Sequence, residues 1–587
     1  MASPAPVEKV FRGIAAAPGV AVGAAFVFLR AEFDLPRFHV PPEGRENEIA
    51  RFEKGLLQTR VQINAIRSEV QEKLGEAEAA IFDAHQLVLE DRALIEETIS
   101  EVIESGLNIE AAFKAVADRY IEAFQQIEDD YIKERVTDIR DVSRRLLANL
   151  LGRTETDLEL IRPDQILVGD DVTPSDTVHL GRTRPLAIAT DLGGQTGHSA
   201  IMARSLGIPC VVGLPGFARA VEMEDEVLVD GFSGQVILNP SAENRAKYGA
   251  IAEQRAEETA RFETVRHEPA ITRDGHHVEV MLNVDGFESP DMLEHAGADG
   301  VGLFRTENLF LASQDFPNEE TQYDAYRKVV SVMAPRPVTI RTLDLGGDKI
   351  PESSPYNYPE ANPFMGFRAI RLCLENPSLF KPQLRAILRA SAHGNVKVLY
   401  PLVTSADEVK AANALLAECR AELQAEDVPM AEEIPIGAMI ETPSAAVMSD
   451  LLAPHCDFFS VGTNDLVQYL LAVDRVNERI AHLYEPNHPA VMRALRFTFL
   501  SGERQGVPVA VCGELAGDPR YAALLVGLGA QELSVTANAL AEVKHLIRRL
   551  EFPAAEVMAK QVARAHETAE IATLLEDFFT ALPPDVT

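Results

Sequence analysis

His198 lies in a glycine-rich stretch whose residue types suit phosphate chemistry. Residues 190–213 read TDLGGQTGHSAIMARSLGIPCVVG, and the glycines at 193, 194 and 197 leave room for a bulky ligand beside the backbone. A helix that begins just after the turn would aim free N–H groups at an anion such as phosphate. The stretch predicts that His198 is a nucleophile that accepts a phosphoryl group. An ordinary histidine in a turn fits this loop alone equally well.

The second half of the chain alternates apolar β-type runs with amphipathic helical stretches. Eight such runs in just over 300 residues are the pattern of a TIM-type (β/α)8 barrel with enlarged loops. Active sites of these barrels gather at the C-terminal ends of the strands. The predicted strands are residues 278–284, 301–304, 338–343, 396–401, 436–440, 458–461, 507–512 and 532–535.

Charged and polar residues follow several of these strands, on the predicted active-site face. Arginine side chains bind phosphate and carboxylate oxygens in a fork, whereas carboxylates are hard ligands that suit Mg²⁺ better than zinc. Any one of these residues could form a surface ion pair, but together they fit a phosphate- and carboxylate-bearing substrate bound with a divalent metal. The set comprises Arg305, Glu307, Arg341, Asp344, Asp348, Lys349, Glu441, Asn464, Asp465, Arg475, Cys512 and Glu514.

Cysteine usage indicates a reduced protein. The five cysteines are odd in number and widely spaced, and no C-x-x-C occurs, which disfavours both a disulfide framework and a structural zinc site. Cys512 by itself would be a small core residue. At a strand end, it could instead be a thiol acid placed over the substrate.

The first half of the chain mixes strand-like and helical segments. Residues 11–29 are rich in Gly, Ala and Val, residues 43–151 have helical periodicity, and strand-like runs return from residue 165 to residue 238. The simplest arrangement is a helical bundle inserted into an α/β domain. The polar, alanine- and glutamate-rich segment 244–266 predicts an exposed helix that links the two halves.

Composition argues against a nucleic-acid-binding, secreted or membrane-spanning protein. The formal net charge of −35 over 587 residues argues against general nucleic-acid binding. The N-terminus lacks a signal-peptide pattern, and no run approaches the roughly 18 apolar residues of a membrane span. We therefore expect a cytoplasmic protein with no membrane insertion.

Several motifs together resemble Enzyme I of the bacterial phosphotransferase system, a family of phosphoenolpyruvate–protein phosphotransferases among the enzymes that use phosphoenolpyruvate (PEP). GGQTGHSAIMARSLGIP is similar to the phosphohistidine signature of these enzymes, and DFFSVGTNDLVQYLLAVDR is similar to their second signature. GLFRTE, IRTLDLGGDK, NPFMGFRAIR, ETPSAA and CGELAGD resemble barrel motifs in the expected order. IFDAHQLVLED and YIKERVTDIRDVSRRLL resemble the helical domain that binds the phosphocarrier.

The resemblance implies a role for each matching residue. His198 would carry the phosphoryl group, with Thr173 and Gly194 supporting it. Glu441 and Asp465 would bind Mg²⁺, and Cys512 would protonate the enolate. Gln195-Thr196-Gly197 stand where many members have Arg-Thr-Ser, so one positive charge beside the histidine is absent. The residues implied in binding phosphoenolpyruvate are Arg305, Arg341, Asn464, Asp465 and Arg475.

The resemblance also implies a reaction, partners and a domain order. Phosphoenolpyruvate would phosphorylate His198, which would pass the group to a histidine of a small HPr-like phosphocarrier protein and release pyruvate, the first step of sugar uptake and its regulation. A homodimer through the barrel is expected. The implied domains are a phosphohistidine α/β domain in two pieces (1–35 and 153–240), an inserted helical domain (36–152), a linker helix (241–266) and a PEP-binding barrel (267–587).

Two alternative functions stay open. Pyruvate phosphate dikinase and phosphoenolpyruvate synthase share the histidine loop and the barrel, but they also need a nucleotide-binding domain, and no G-x-x-x-x-G-K-[ST] occurs here. A regulatory scaffold derived from the phosphotransferase system is disfavoured because each matched catalytic position holds a competent residue type.

Overall fold

A computed structural model describes most of the chain, which divides into two units, residues 1–257 and 258–587. The residues that it describes are 8–28, 35–73, 81–125, 130–152, 157–172, 176, 180, 183–193, 200, 203, 207–285, 289–311, 316–346, 360, 362–475, 477 and 480–583.

The first unit contains an eight-stranded sheet built from two separate parts of the chain. Three strands precede the helical segment and five follow it, in the spatial order β1-β8-β7-β3-β4-β5-β6-β2. The central strands β3, β4, β5 and β6 pair in parallel, and the remaining pairs are antiparallel. The strands are β1 Lys9–Arg12, β2 Ile14–Ala17, β3 Val20–Phe28, β4 Gln165–Gly169, β5 Ala187–Thr190, β6 Cys210–Val212, β7 Glu226–Asp230 and β8 Gln235–Leu238.

Apolar residues cover both faces of this sheet. Successive side chains of a strand point to opposite faces, so Ile166 and Val168 join one core while Leu167 joins the other. All five residues of β4 are buried as a result. A strand buried on both faces needs this continuous apolar run, which explains why it could be recognised in the sequence.

A helical bundle occupies the chain between β3 and β4. Its core includes Phe52 and Ile63, which lie at helical spacing on one helix, and Phe113 of another helix. Asp91 caps one helix by accepting hydrogen bonds from the N–H groups of Ala93 and Leu94. The helices are α1 Arg45–Lys73, α2 Ile81–Leu89, α3 Arg92–Ser105, α4 Ile109–Gln125 and α5 Asp130–Leu151.

The helix predicted as a linker is present, but one of its faces is not solvated. A short helix, α6 (Phe217–Ala220), precedes β7, and the linker helix α7 spans Ala242–Thr264. Tyr248 of α7 is only 7% exposed and packs with Leu228 and Ile237 of the sheet. Its hydroxyl donates to Oε1 of Gln235 at 3.0 Å. The polar composition of the segment concealed this contact, because only Tyr248 and the partly buried Ile251 of the helix belong to the apolar cluster.

The second unit is built around a closed barrel of eight parallel strands. The last strand pairs with the first, with Leu533 opposite Val280, so the sheet has no free edge. Leu303, Leu399, Met439, Phe458 and Cys512 form a buried cluster. The strands are β9 Glu279–Val284, β10 Val301–Phe304, β11 Val338–Arg341, β12 Val396–Tyr400, β13 Ile436–Ile440, β14 Phe458–Val461, β15 Val509–Val511 and β16 Glu532–Val535.

Helices alternate with the barrel strands and pack against them through a single large apolar core. They are α8 Pro290–His295, α9 Glu307–Leu311, α10 Glu319–Met333, α11 Ala369–Glu375, α12 Pro377–Ala390, α13 Ala406–Ala425, α14 Pro443–Val447, α15 Ser449–Leu452, α16 Thr463–Leu471, α17 Pro489–Gln505, α18 Pro519–Leu528, α19 Ala537–Ile547, α20 Phe552–Val562 and α21 Thr568–Thr580. Short 3₁₀ helices span Pro42–Gly44, Asp157–Leu160, Pro363–Met365, Ser391–His393, Ala453–His455, Ala481–Leu483 and Glu514–Gly517.

The predicted fold class is confirmed. An α/β domain with an inserted helical bundle, a linker helix and a C-terminal TIM-type barrel all occur, and each of the eight predicted barrel runs contains a strand. Four strands are shorter than the predicted runs: the first and fourth by one residue each, the third because β11 ends at Arg341, and the seventh because β15 spans only Val509–Val511. The domain boundaries given from the sequence remain predictions.

Candidate active site

A cavity of about 460 Å³ opens at the C-terminal ends of the barrel strands. It brings together seven of the residues predicted to act on substrate or metal, which come from five different strand ends. These seven residues are Arg305, Arg341, Glu441, Asn464, Asp465, Arg475 and Cys512. Their chemical roles stay predictions.

Strand ends position most of these side chains. Arg341 is the last residue of β11, whereas Arg305, Glu441 and Cys512 come directly after β10, β13 and β15. Parallel strands of a barrel end on the same face, so residues far apart in sequence meet there. Gly462, just after β14, leaves room for Glu441, since a Cβ at residue 462 would lie 2.7 Å from Glu441 Oε2.

Arg341 lies in a buried network of charges. Its Nη2 is 2.9 Å from Oε1 of Glu307, and its Nη1 is 3.2 Å from Oδ2 of Asp344. Burial lowers the pKa of Arg341, but these carboxylates outweigh burial and raise the pKa above the usual value. The guanidinium therefore stays charged and is held by two carboxylates that also line the cavity.

Glu441 is a buried carboxyl group beside other carboxyl groups. Only 2% of the residue is exposed, and Oε1 accepts a hydrogen bond from the Leu402 N–H at 2.6 Å. Burial, together with the charges of Asp465 and Asp344, raises its pKa to about 8. A cation placed between these carboxylates would relieve the repulsion that raises this pKa.

The ionised cavity has an excess of negative charge. Four arginines and six carboxylates are among the described residues that line it, so its formal charge is −2 with all of them ionised. In the described part of the chain, no group of three or more His, Cys, Asp and Glu residues is spaced to hold a metal alone. Two carboxylates with substrate oxygens and water are nevertheless a common Mg²⁺ site. The donor set therefore fits a Mg²⁺ ion that substrate helps to hold.

Comparisons with known proteins identify the family of the chain. Three family models match the chain: "PEP-utilising enzyme, PEP-binding domain" at residues 259–552, "PEP-utilising enzyme, N-terminal" at 12–135, and "PEP-utilising enzyme, mobile domain" at 161–234. The chain is 40% identical over 573 residues to the phosphoenolpyruvate-protein phosphotransferase of Priestia megaterium, covering 97% of this chain and 99% of the relative. It is 41% identical over 567 residues to that of Haemophilus influenzae, covering 96% and 98%.

The chain belongs to the phosphoenolpyruvate-protein phosphotransferase family. The resemblance stated from sequence motifs is thereby confirmed over nearly the whole chain. Among the described residues, we find no helix with the length and apolar character that a membrane span requires.

The thiol of Cys512 is buried at the end of β15. The residue is 2% exposed, and its Sγ lies 3.6 Å from the carbonyl oxygen of Val461. Burial raises the pKa of the thiol to about 11, although Ser460 and Arg341 oppose the increase. The thiol therefore keeps its proton at neutral pH, as a general acid must.

Arg305 and Arg475 lie at the more open side of the cavity. The side chains are 42% and 37% exposed, respectively. Arg305 Nη1 is 3.5 Å from Asp285 Oδ1, and Arg475 Nη1 is 3.0 Å from Asp465 Oδ1. The Arg305–Asp285 pair is solvent-exposed and therefore weak, so this guanidinium can exchange its carboxylate for an incoming anion. Asp465 is only 12% exposed, so its pair with Arg475 is more sheltered from solvent.

Arg368 is a cavity residue that the sequence did not assign to the site. It is 8% exposed, and its Nη2 is 2.6 Å from Asp344 Oδ1 and 3.8 Å from Asp465 Oδ2. It belongs to the motif NPFMGFRAIR but lies far beyond the end of β11. An isolated bridge between Gly346 and Arg368 returns the chain to the cavity. That motif was the only signal for Arg368, because the residue follows no predicted strand.

The histidine loop is described only at its base. His198, Thr173 and Gly194 lie outside the described residues. At the base, Asp191 accepts hydrogen bonds from the N–H groups of Gly216 at 3.0 Å and Ala218 at 2.8 Å. These bonds tie the end of β5 to the start of α6. The roles of His198, Thr173 and Gly194 therefore remain predictions from sequence.

Proposed function

We propose that this chain transfers the phosphoryl group of phosphoenolpyruvate to its own His198 and then to a histidine of a small HPr-like phosphocarrier protein, releasing pyruvate. The reaction is the first step of sugar uptake by a bacterial phosphotransferase system and takes place in the cytoplasm. The observation that carries the proposal is the cavity at the barrel mouth, which four arginines and six carboxylates line together with a protonated thiol.

The arginines account for binding of a small, highly charged anion. Arg341 lies deep in the cavity, while Arg305 and Arg475 lie at its open side. Guanidinium groups bind phosphate and carboxylate oxygens with paired hydrogen bonds, and phosphoenolpyruvate carries both groups on adjacent positions. Asn464 adds an uncharged donor at the same side of the cavity.

Glu441 and Asp465 would hold Mg²⁺. The raised pKa of Glu441 and the excess of negative charge both support a cation between these carboxylates. When bound, Mg²⁺ neutralises charge on the substrate oxygens during phosphoryl transfer.

Cys512 would supply the proton that completes the reaction. As the bond between phosphorus and the enol oxygen breaks, a bond from phosphorus to a ring nitrogen of His198 forms, and an enolate of pyruvate is left. The enolate takes a proton at its methylene carbon from Cys512 Sγ and becomes pyruvate. Solvent then returns a proton to the thiolate, whose high pKa favours that return.

The rest of the proposed cycle concerns partners. The helical bundle between β3 and β4 would bind the phosphocarrier, and the barrel would hold two copies together as a homodimer. Similarity to phosphoenolpyruvate-protein phosphotransferases over 97% of this chain supports this cycle over both alternatives. A dikinase or synthase would also need a nucleotide domain, and a scaffold would not need the paired charges of the cavity.

The decisive experiment follows the label of phosphoenolpyruvate through the protein. The whole chain is incubated with ³²P-labelled phosphoenolpyruvate, Mg²⁺ and a purified HPr-like carrier. We expect acid-labile, base-stable label on the chain, transfer to the carrier, and pyruvate in proportion to the carrier supplied. His198→Ala should carry no label, and His295→Ala, an exposed barrel histidine, should behave as wild type. Full labelling of His198→Ala, or pyruvate release without protein label, contradicts the proposal.

A further inference from the structure

Two loops at the mouth of the barrel touch because one of them contains Gly513. This glycine follows Cys512 after β15, and a Cβ built on it would lie 1.9 Å from Oγ1 of Thr463. No residue with a side chain fits at that distance, so glycine allows the loop after β15 to pack directly against the start of α16. The contact brings Glu514 to Asn464.

Asn464 and Glu514 then form a reciprocal pair of hydrogen bonds. Nδ2 of Asn464 donates to Oε1 of Glu514 at 3.0 Å, and the backbone N–H of Glu514 donates to Oδ1 of Asn464 at 2.9 Å. The hydroxyl of Tyr484 donates to the Asn464 carbonyl oxygen at 3.2 Å, which holds the backbone of the same residue.

The chemistry of the pair permits only one orientation of the amide. An ionised carboxylate can only accept a hydrogen bond, and a backbone N–H can only donate one. If the Asn464 amide turned over, its NH2 would face the N–H and its oxygen would face the carboxylate, so both bonds would be lost. The second N–H of Nδ2 has no partner among the described residues, and both side chains line the cavity.

We infer that Glu514 is a positioning residue that holds the Asn464 amide so that its remaining N–H donates to an oxygen of the anionic substrate. This inference rests on the proposed function, in which the substrate is phosphoenolpyruvate. Glu514 does not itself bind the substrate, because a carboxylate cannot donate to an anion. Without Glu514, the amide could present its oxygen to the substrate, and two oxygens that cannot bond would face each other.

The sign of the effect separates this role from simple electrostatics. A carboxylate near an anionic substrate repels it, so removal of the charge alone should tighten binding. Loss of the positioning bond should weaken it instead. Glu514→Ala removes both the charge and the acceptor, whereas Glu514→Gln removes the charge and keeps an acceptor oxygen for Asn464 Nδ2. The two variants therefore distinguish the contributions of bond and charge.

The test is a double-mutant cycle on the whole chain with Mg²⁺ and an HPr-like carrier. KM for phosphoenolpyruvate and kcat are measured for wild type, Glu514→Ala, Asn464→Ala and the double variant. A bond to a charged partner typically contributes about tenfold or more in affinity, so we expect Glu514→Ala to raise KM about tenfold with a smaller change in kcat. In the Asn464→Ala background, loss of Glu514 should no longer raise KM, because only the repelling charge is then removed. Glu514→Gln should restore KM to within about twofold of wild type. Glu503→Ala, an exposed carboxylate at the end of α17, is the control.

The outcomes distinguish failure of the positioning role of Glu514 from failure of the proposed function. A lower or unchanged KM for Glu514→Ala, or effects of Glu514→Ala and Asn464→Ala that simply multiply, would overturn the positioning role. If Glu514→Ala fails to fold, Glu514→Met replaces it in the cycle, because Met keeps the length of the side chain and lacks an oxygen acceptor for Asn464 Nδ2. If wild type releases no pyruvate from phosphoenolpyruvate, the proposed function itself fails, and binding of phosphoenolpyruvate measured by calorimetry tests the pair independently.

Discussion

Nη1 of Arg475 lies 3.0 Å from Oδ1 of Asp465, so a residue predicted to bind substrate holds a residue predicted to bind metal. Arg368 also approaches Asp465, with Nη2 3.8 Å from Oδ2. In this arrangement both partners are satisfied without a ligand. Under the proposed function, Mg²⁺ would take Asp465 from Arg475, and that exchange would release the guanidinium for the phosphate of the substrate. The proposed metal and substrate sites would then be coupled through one ion pair.

Arg475→Met should change the affinities for phosphoenolpyruvate and for Mg²⁺ in opposite directions. Phosphoenolpyruvate should bind about 10- to 100-fold more weakly, because a charge-assisted contact is lost. Mg²⁺ alone should bind the variant more tightly than it binds wild type, because Asp465 has lost its nearest cation. Isothermal titration of each ligand separately measures both effects. Arg327→Met, which breaks an exposed pair with Asp324 on α10, should change neither affinity. Weaker Mg²⁺ binding by Arg475→Met would show that the pair does not compete with metal.

Cys512→Ala should bind phosphoenolpyruvate normally but release pyruvate slowly. Removal of a general acid typically costs about 10²- to 10⁴-fold in rate, and neither the arginines nor the carboxylates are altered. Pyruvate release is followed in a coupled assay, and substrate binding by calorimetry. Cys456→Ala, a buried cysteine outside the cavity, controls for the loss of a thiol from the barrel. An unchanged rate for Cys512→Ala would leave this thiol as a packing residue.

Gly462→Ala should weaken Mg²⁺ binding without unfolding the barrel. The added Cβ would lie 2.7 Å from Oε2 of Glu441, so this carboxylate must move out of its position. Overpacking of this kind typically costs about 1–3 kcal/mol of stability, which a barrel of this size can tolerate. Binding of Mg²⁺ by calorimetry, with circular dichroism to verify folding, measures the effect. Gly249→Ala in α7 is the control, because no atom lies within 4 Å of its added Cβ. Wild-type Mg²⁺ affinity in Gly462→Ala would remove Glu441 from the metal site.

Much of the fold and part of the candidate site could be predicted from sequence because the signals are local. Each barrel strand is a short apolar run, and a charged residue directly after such a run must lie at the barrel mouth. That reasoning placed Arg305, Arg341, Glu441 and Cys512 in one cavity. It did not depend on knowing how the strands pair.

Contacts between distant parts of the chain could not be predicted in this way. Arg368 reaches the cavity through a bridge to Gly346, and Glu514 meets Asn464 only because Gly513 lets two loops touch. Tyr248 covers the sheet although its helix is polar in composition. In each case the decisive quantity is a distance in the folded chain, and residue types alone do not give it.

The opposite end of the barrel contains a buried ion pair that should give the stability a particular pH dependence. Oε2 of Glu532, the first residue of β16, is 3.3 Å from Nζ of Lys397. Burial raises the pKa of Glu532, and although Lys397 opposes this shift, the pKa stays above its usual value. A carboxyl group that binds its proton more tightly in the folded chain favours folding at low pH. That contribution is lost as the pH rises through the pKa of the folded state.

Glu532→Gln should therefore gain stability relative to wild type as the pH is raised from about 5 to about 8, because the variant lacks the group that must ionise in the fold. The calorimetric transition of the barrel, measured in the whole chain at several pH values, gives the difference. The stability of Lys397→Met should fall more with rising pH than that of wild type, because the cation that favours ionised Glu532 is gone. In the double variant Glu532→Gln/Lys397→Met, this additional loss of stability with rising pH should disappear. If wild type instead became more stable relative to Glu532→Gln as the pH rises, Glu532 would ionise more readily in the folded chain than in the unfolded one.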